Sequence, residues 1–403
     1  MRAKRILGFG CALAAIAFAF QQVYQDNLPA DHPAIRYTSP GNDPASALDR
    51  KLASGEVKLD YRADDLGYLP SLLSSLDINP DTQALVFSKT SFQAPKISPR
   101  NPRAIYFNDN VAVGWVRGGA GFEIAALDPR QGVMFYTLAS EKTDHPRLAR
   151  QTVCLRCHQG PATEGVPGIF IGSVFPNSAG DPYREGAIIT DHRTAFKDRW
   201  GGWYITAAAG EQPDRANGIA PDPEEPEAIA NRGLRNLTSL IRIFNPAGYL
   251  EPSSDIVALM TFEHQTQAVN MMTRLNWESR LGKAEAVDRD IESLAKYLLF
   301  SGEARLPEPV RGVSSFTQTF PKAGPRDHLG RSLRDFDLNT RLFRYPLSYT
   351  IYSESFEALP TAIRERIYRQ ISGRLTGIAP GDRRAILEIL RDTKPDLPAY
   401  FFD

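Results

Sequence analysis

One short run constrains this chain more than anything else in it: Cys154-Leu155-Arg156-Cys157-His158, two thiols three residues apart with an imidazole directly behind. That spacing is the attachment pattern of c-type haem. The thiols add across the two haem vinyl groups, and a separation of three residues on a helical turn matches the distance between those groups. The adjacent histidine is directed at the iron as proximal ligand. Gln159-Gly160-Pro161 ends the turn, as the backbone must where it clears a porphyrin edge. The candidate site is therefore Cys154, Cys157 and His158 holding one covalent haem c.

Other uses of a close cysteine pair fit less well. The chain has three cysteines, and the third, Cys11, sits near the start. A zinc ribbon needs a second ligand pair, which no further cysteines supply. A thioredoxin-like pair belongs in a βαβ context, where a following histidine carries no meaning. A disulfide across two residues is strained.

Haem of this type is attached outside the cytoplasm, and the first 20 residues read as an export signal. Arg2, Lys4 and Arg5 precede an apolar stretch from Ile6 to Phe20. As a helix that stretch spans about 22 Å, short of the roughly 30 Å of a bilayer core. A cleaved signal peptide with Ala17-Phe18-Ala19 at the cleavage site is expected, with an uncleaved inner-membrane anchor as the alternative. The expected location is periplasmic or otherwise extracytoplasmic. Among 403 residues, 47 basic and 47 acidic side chains cancel, so nothing in the charge points to nucleic acid.

Residues 21–50, with Pro29, Pro33, Pro40 and Pro44, read as a polar tether. Short strands follow at 84–91, 104–107, 111–117, 122–127 and 133–137, joined by polar or glycine-containing turns. More strand-like runs come at 168–175, 186–190 and 203–207. The Pro- and Glu-rich stretch 211–226 has no apolar period and marks an internal boundary. Beyond it, periodicity predicts helices over 227–244, 254–281, 287–300, 360–375 and 382–392. The expectation is an α+β fold: a β-rich haem-attachment part over 51–210, then a mostly helical part over 227–403 packing on the haem.

What closes the far side of the iron decides between carrier and catalyst. Six histidines and five methionines are available. His264 is the preferred distal candidate, because Ile256, Met260, His264, Met271 and Leu275 fall on one apolar helix face, where an unpaired histidine is costly. A core histidine satisfied by a carbonyl or carboxylate is the bland account. Met260, one turn away, is an alternative. His192, ahead of Arg199-Trp200-Gly201-Gly202-Trp203-Tyr204, is the rival; a polar turn capped by Asp191 is its ordinary reading.

From about Ala104 to Leu375 the chain also resembles a family of largely uncharacterised bacterial proteins with a monohaem cytochrome c domain. The resemblance rests on CLRCH, on DHRTAFKDRWGGWYIT from Asp191, on SDIVALMTFEHQ from Ser254, and on DFDLNTRLFRYPLSYTIYSESFEALP from Asp335. It implies haem at Cys154, Cys157 and His158, and singles out His192 and His264 as matching histidines. Family members carry a His and a Met soon after Gly-Gly-Trp-Tyr; this chain has Ala207-Ala208-Ala209-Gly210 there.

The functional expectation is an exported monohaem cytochrome that transfers single electrons to a redox partner protein. The alternative is a haem enzyme of peroxidase or oxygenase type, or a redox or gas sensor with an open distal site. The length of the chain favours that alternative, since a simple carrier needs only about a hundred residues.

Overall fold

In the computed structural model, residues 27–183, 187–231 and 233–401 are described; the basic and apolar leader and Cys11 lie outside them. The fold is α+β, with one large antiparallel sheet in the first half and helices dominating the second. Strands β1 (Ala84–Val86), β2 (Arg103–Phe107), β3 (Val111–Trp115), β4 (Gly121–Asp128), β5 (Gly132–Ala139) and β6 (Ala149–Arg150) lie side by side in chain order. A short pair, β7 (Ile171–Ser173) and β8 (Ile188–Thr190), stands apart, and β9 (Trp203–Tyr204) closes the large sheet beside β1.

Turn chemistry sets the register. Asn108 Oδ1 accepts from the backbone N–H groups of Asn110 and Val111, and Asp128 Oδ1 does the same for Arg130 and Gln131. These Asx turns join β2 to β3 and β4 to β5. Because side chains alternate, the register gives the sheet two distinct faces. Tyr106, Val113, Ile124 and Tyr136 share one face, buried against the N-terminal segment. Phe107, Ala112, Ala125 and Phe135 share the other, which faces the helical half.

The described part of the segment read as a tether, residues 27–50, packs on the sheet. Ile35 and Tyr37 are buried, the Tyr37 hydroxyl donates to Val133 O, and helix α1 (Pro44–Ser54) is capped by Asp43. The prolines that suggested an extended linker instead shape turns and open a helix. A short α2 (Leu69–Ser75) and α3 (Leu155–His158) complete the first half.

The longest element, α4 (Ile256–Arg280), begins at Asp255, whose Oδ1 accepts from Val257 and Ala258 N–H. It is buried along most of its length, between the sheet and the later helices. Helix α5 (Ala284–Leu298) follows after a short turn, and α6 (Thr361–Leu375) and α7 (Pro380–Thr393) finish the helical layer. The helix expected over 227–244 does not form. The segment is turns with one 3₁₀ turn at Leu240–Arg242, and Asn231 and Asn236 bond backbone groups of 209–216 instead of propagating a helix. Groups on either side of 211–226 meet: Ala207 N–H donates to Leu237 O, and the Thr206 hydroxyl donates to Ser254 O.

Candidate functional site

Strand β6 leads directly into the cysteine motif. Gln151 N–H donates to Phe135 O, which fixes the chain at the sheet edge just before α3. Over that single turn the N–H groups of Cys157 and His158 both donate to Cys154 O, at 3.1 and 2.9 Å. Cys154 is half-buried, Cys157 is exposed, and both thiols are free. Burial pushes the Cys154 thiol up, and the nearby Glu123 carboxylate adds to the effect.

His158 is held more firmly than an exposed turn residue needs. Its Nδ1 lies 2.9 Å from Gly168 O, while Gly168 N–H donates back to His158 O at 2.9 Å. A carbonyl can only accept, so the ring proton sits on Nδ1 and the Nε2 lone pair is left over. Burial lowers the imidazole's pKa, which keeps it neutral. Phe135 and Phe170 flank the ring, with centroids at 4.9 and 5.5 Å. Gly168 is a glycine for a reason: a Cβ there would fall 2.1 Å from Asn270 Oδ1 on α4.

Beside the turn the sheet and α4 leave a small cleft. Ala125, Leu127, Val133, Ile169 and Val269 line it, and these same residues pack with Cys154 and Leu155. The cleft floor continues along the sheet. Ala112 and Ala125 are cross-strand neighbours, and the next row carries Ile105, Gly114 and Glu123. Ala112, Ala125 and Gly114 put little side-chain bulk on this face. At its edge Arg103 pairs with Glu123 at 2.5 Å, lying over Gly114, where any Cβ would meet the guanidinium at 2.4 Å. Arg103 Nε and Glu123 Oε1 are buried without partners.

These residues fit a covalent haem: two free thiols on one turn, a neutral imidazole whose Nε2 lone pair is not used by Gly168, apolar cleft walls, and a guanidinium nearby, itself paired with Glu123. Sequence reasoning missed Gly168, Phe135, Phe170, Arg103 and Glu123. Only the two charges left a signal, as ionisable residues at strand positions shared with apolar neighbours.

The other sequence candidates lie elsewhere. At about 100° per residue, the cleft-lining Phe262, Gln265, Thr266, Val269 and Asn270 occupy one side of α4, and Met260, His264 and Met271 occupy the opposite side. His264 is fully buried. Its Nδ1 lies 2.8 Å from His192 Nδ1 and its Nε2 lies 2.7 Å from Ser348 Oγ. Burial lowers His264 to about 3 and takes His192 well below its usual value. Tyr297, Phe300 and the buried Arg199–Glu263 pair surround the two rings. His264, His192 and Met260 thus lie across α4 from the cleft, and the bland account, a satisfied core histidine, describes the contacts of His264.

Asp327, His328 and Asp392 bring three potential ligand atoms within 4.8 Å of one another on the surface of the helical half. His328 is simply paired with Asp392 at 2.6 Å, which raises its pKa. Comparison with protein-family models, with curated proteins and with solved structures finds no match to this chain.

Proposed function

We propose that this chain is an exported monohaem c-type cytochrome, with haem bound through Cys154 and Cys157, His158 as proximal ligand, and one-electron transfer to a redox partner protein as its role. The observation that carries the reading is the His158–Gly168 contact. A histidine that binds a metal through one nitrogen characteristically donates the other N–H to a backbone carbonyl, which fixes tautomer and ring orientation. Here that arrangement occurs in the residue immediately behind two free thiols. The export-like leader is consistent with it, as is the resemblance to monohaem cytochrome c proteins.

When bound, the haem supplies an iron that cycles between ferrous and ferric states. The chain's own part is to hold the ring. Gly168 keeps the proton on Nδ1, Phe135 and Phe170 restrict ring rotation, and the apolar cleft walls exclude water from one side. Arg103 offers a cation to a propionate at the rim.

The test is a haem stain on a denaturing gel of protein made in a host that matures c-type cytochromes. The wild type keeps its haem through denaturation, and Cys154→Ala with Cys157→Ala loses it. Covalent haem persisting in the double variant overturns the assignment.

A further inference from the structure

We infer that none of the described histidine or methionine side chains completes the iron's coordination opposite His158, so that the sixth position is open to a small neutral diatomic ligand. The inference rests on the haem reading above and deepens it.

The placement of every described histidine and methionine supports it. Met260, His264 and Met271 are turned to the side of α4 away from the cleft. Both nitrogens of His264 are hydrogen-bonded, so ligation would break two buried bonds and rotate the ring through the packed helical core. His192 is bonded to His264 through Nδ1 and is wedged against Tyr297 and Phe300 at 4.2 and 5.0 Å. Met134 lies on the opposite face of the sheet, and Met272 is enclosed beside Ser353, whose hydroxyl approaches its sulfur at 3.7 Å. His32, His145 and His328 are exposed. His328 is further held by Asp392.

The cleft itself selects for size. Its walls include Ala112, Ala125, Leu127, Val133, Ile169 and Val269, together with several side-chain amides and the Asp109 carboxylate. Gln265 is fixed there, donating to Asn108 O at 2.7 Å and accepting from the Tyr349 hydroxyl at 3.0 Å. Asp109 in the lining is ion-paired with Arg334 and presents no uncompensated charge. A small neutral diatomic suits such apolar walls.

The experiment uses the full haem-bearing chain, with covalent haem first verified on the stained gel. The ferric protein is then examined by visible absorption and electron paramagnetic resonance, and the ferrous protein is titrated with carbon monoxide. The expected result is a high-spin ferric spectrum and stoichiometric carbon monoxide binding, both unchanged in His264→Gln and Met260→Leu. A low-spin six-coordinate spectrum with no carbon monoxide binding, on a chain that does carry covalent haem, overturns the open position and leaves the haem assignment standing. A chain without covalent haem overturns the assignment and this inference together.

Discussion

At His264 the fold holds a neutral imidazole where its charged form is heavily penalised, with Ser348 and His192 filling its two nitrogens. The unfolded chain takes up a proton near pH 6.5, but the folded site resists until about 3. Folding therefore excludes a proton in that window, so this histidine's contribution is complete above 6.5 and is lost as pH falls toward 3. Glu263, pushed up to about 7 by burial against the pull of Arg199, acts in the opposite sense: its contribution declines as pH rises from 4.5 to 7. A difference measurement separates the two. In urea unfolding, the stability advantage of the wild type over His264→Gln should narrow as pH falls from 6.5 to 4.5, whatever Glu263 adds to both; a difference that does not change with pH would show that His264 is not the group that titrates. The sequence showed that His264 needed a partner, because it sits in an apolar stripe. It did not show that a serine 84 residues away would be that partner.

Helix α4 was legible almost to its ends, predicted over 254–281 and found as Ile256–Arg280. Its start was readable because Asp255 is a strong N-cap ahead of an apolar run. Its orientation was not. Both sides of α4 are buried, one against the cleft and one against the helical layer, and periodicity identifies which residues share a side without saying what each side meets. That is why the stripe containing Met260 and His264 could be read without showing that it meets the helical layer. Asp255 does more than cap: its Oδ2 also accepts from Val313 N–H, Ser314 N–H and the Ser314 hydroxyl. Asp255→Ala should cost about 2 kcal/mol or more, beyond the ~1 kcal/mol of an ordinary cap, because it also leaves buried donors unpaired. Denaturant unfolding checks this, and Asp255→Asn should recover part of the loss through the retained cap oxygen.

Across the whole molecule, the α+β order of strands then helices was readable from the switch in hydrophobic period. The contacts around 211–226 were not. Low apolar content there looked like a linker, but the side-chain amides of Asn217, Asn231 and Asn236 stitch the stretch into its surroundings. Helix α4 contributes to both major cores, with Trp277 in the one under the sheet and Ile256 through Leu275 in the other. A fragment ending at residue 226 removes α4 and uncovers the sheet face that carries Phe107 and Ala112. Such a fragment should fail to give dispersed amide resonances or a cooperative melt; a cooperative, haem-bearing fragment would establish an independent attachment domain after all.

The contact between the first described residues and the cysteine turn has a bearing on maturation. Asn27 Nδ2 donates to Gln159 O, and Gln159 Nε2 donates to Leu28 O, across separations of 132 and 131 residues. Closing a loop that long carries a large entropic cost, so this latch forms late among the contacts of the first half. The strand-and-turn framework around α3 is built from nearer neighbours and assembles ahead of it. On the proposed haem assignment, thioether formation would have a window in time: after β5 and β6 have laid the thiols out at the sheet edge, and before Asn27 and Leu28 are latched to Gln159 behind them.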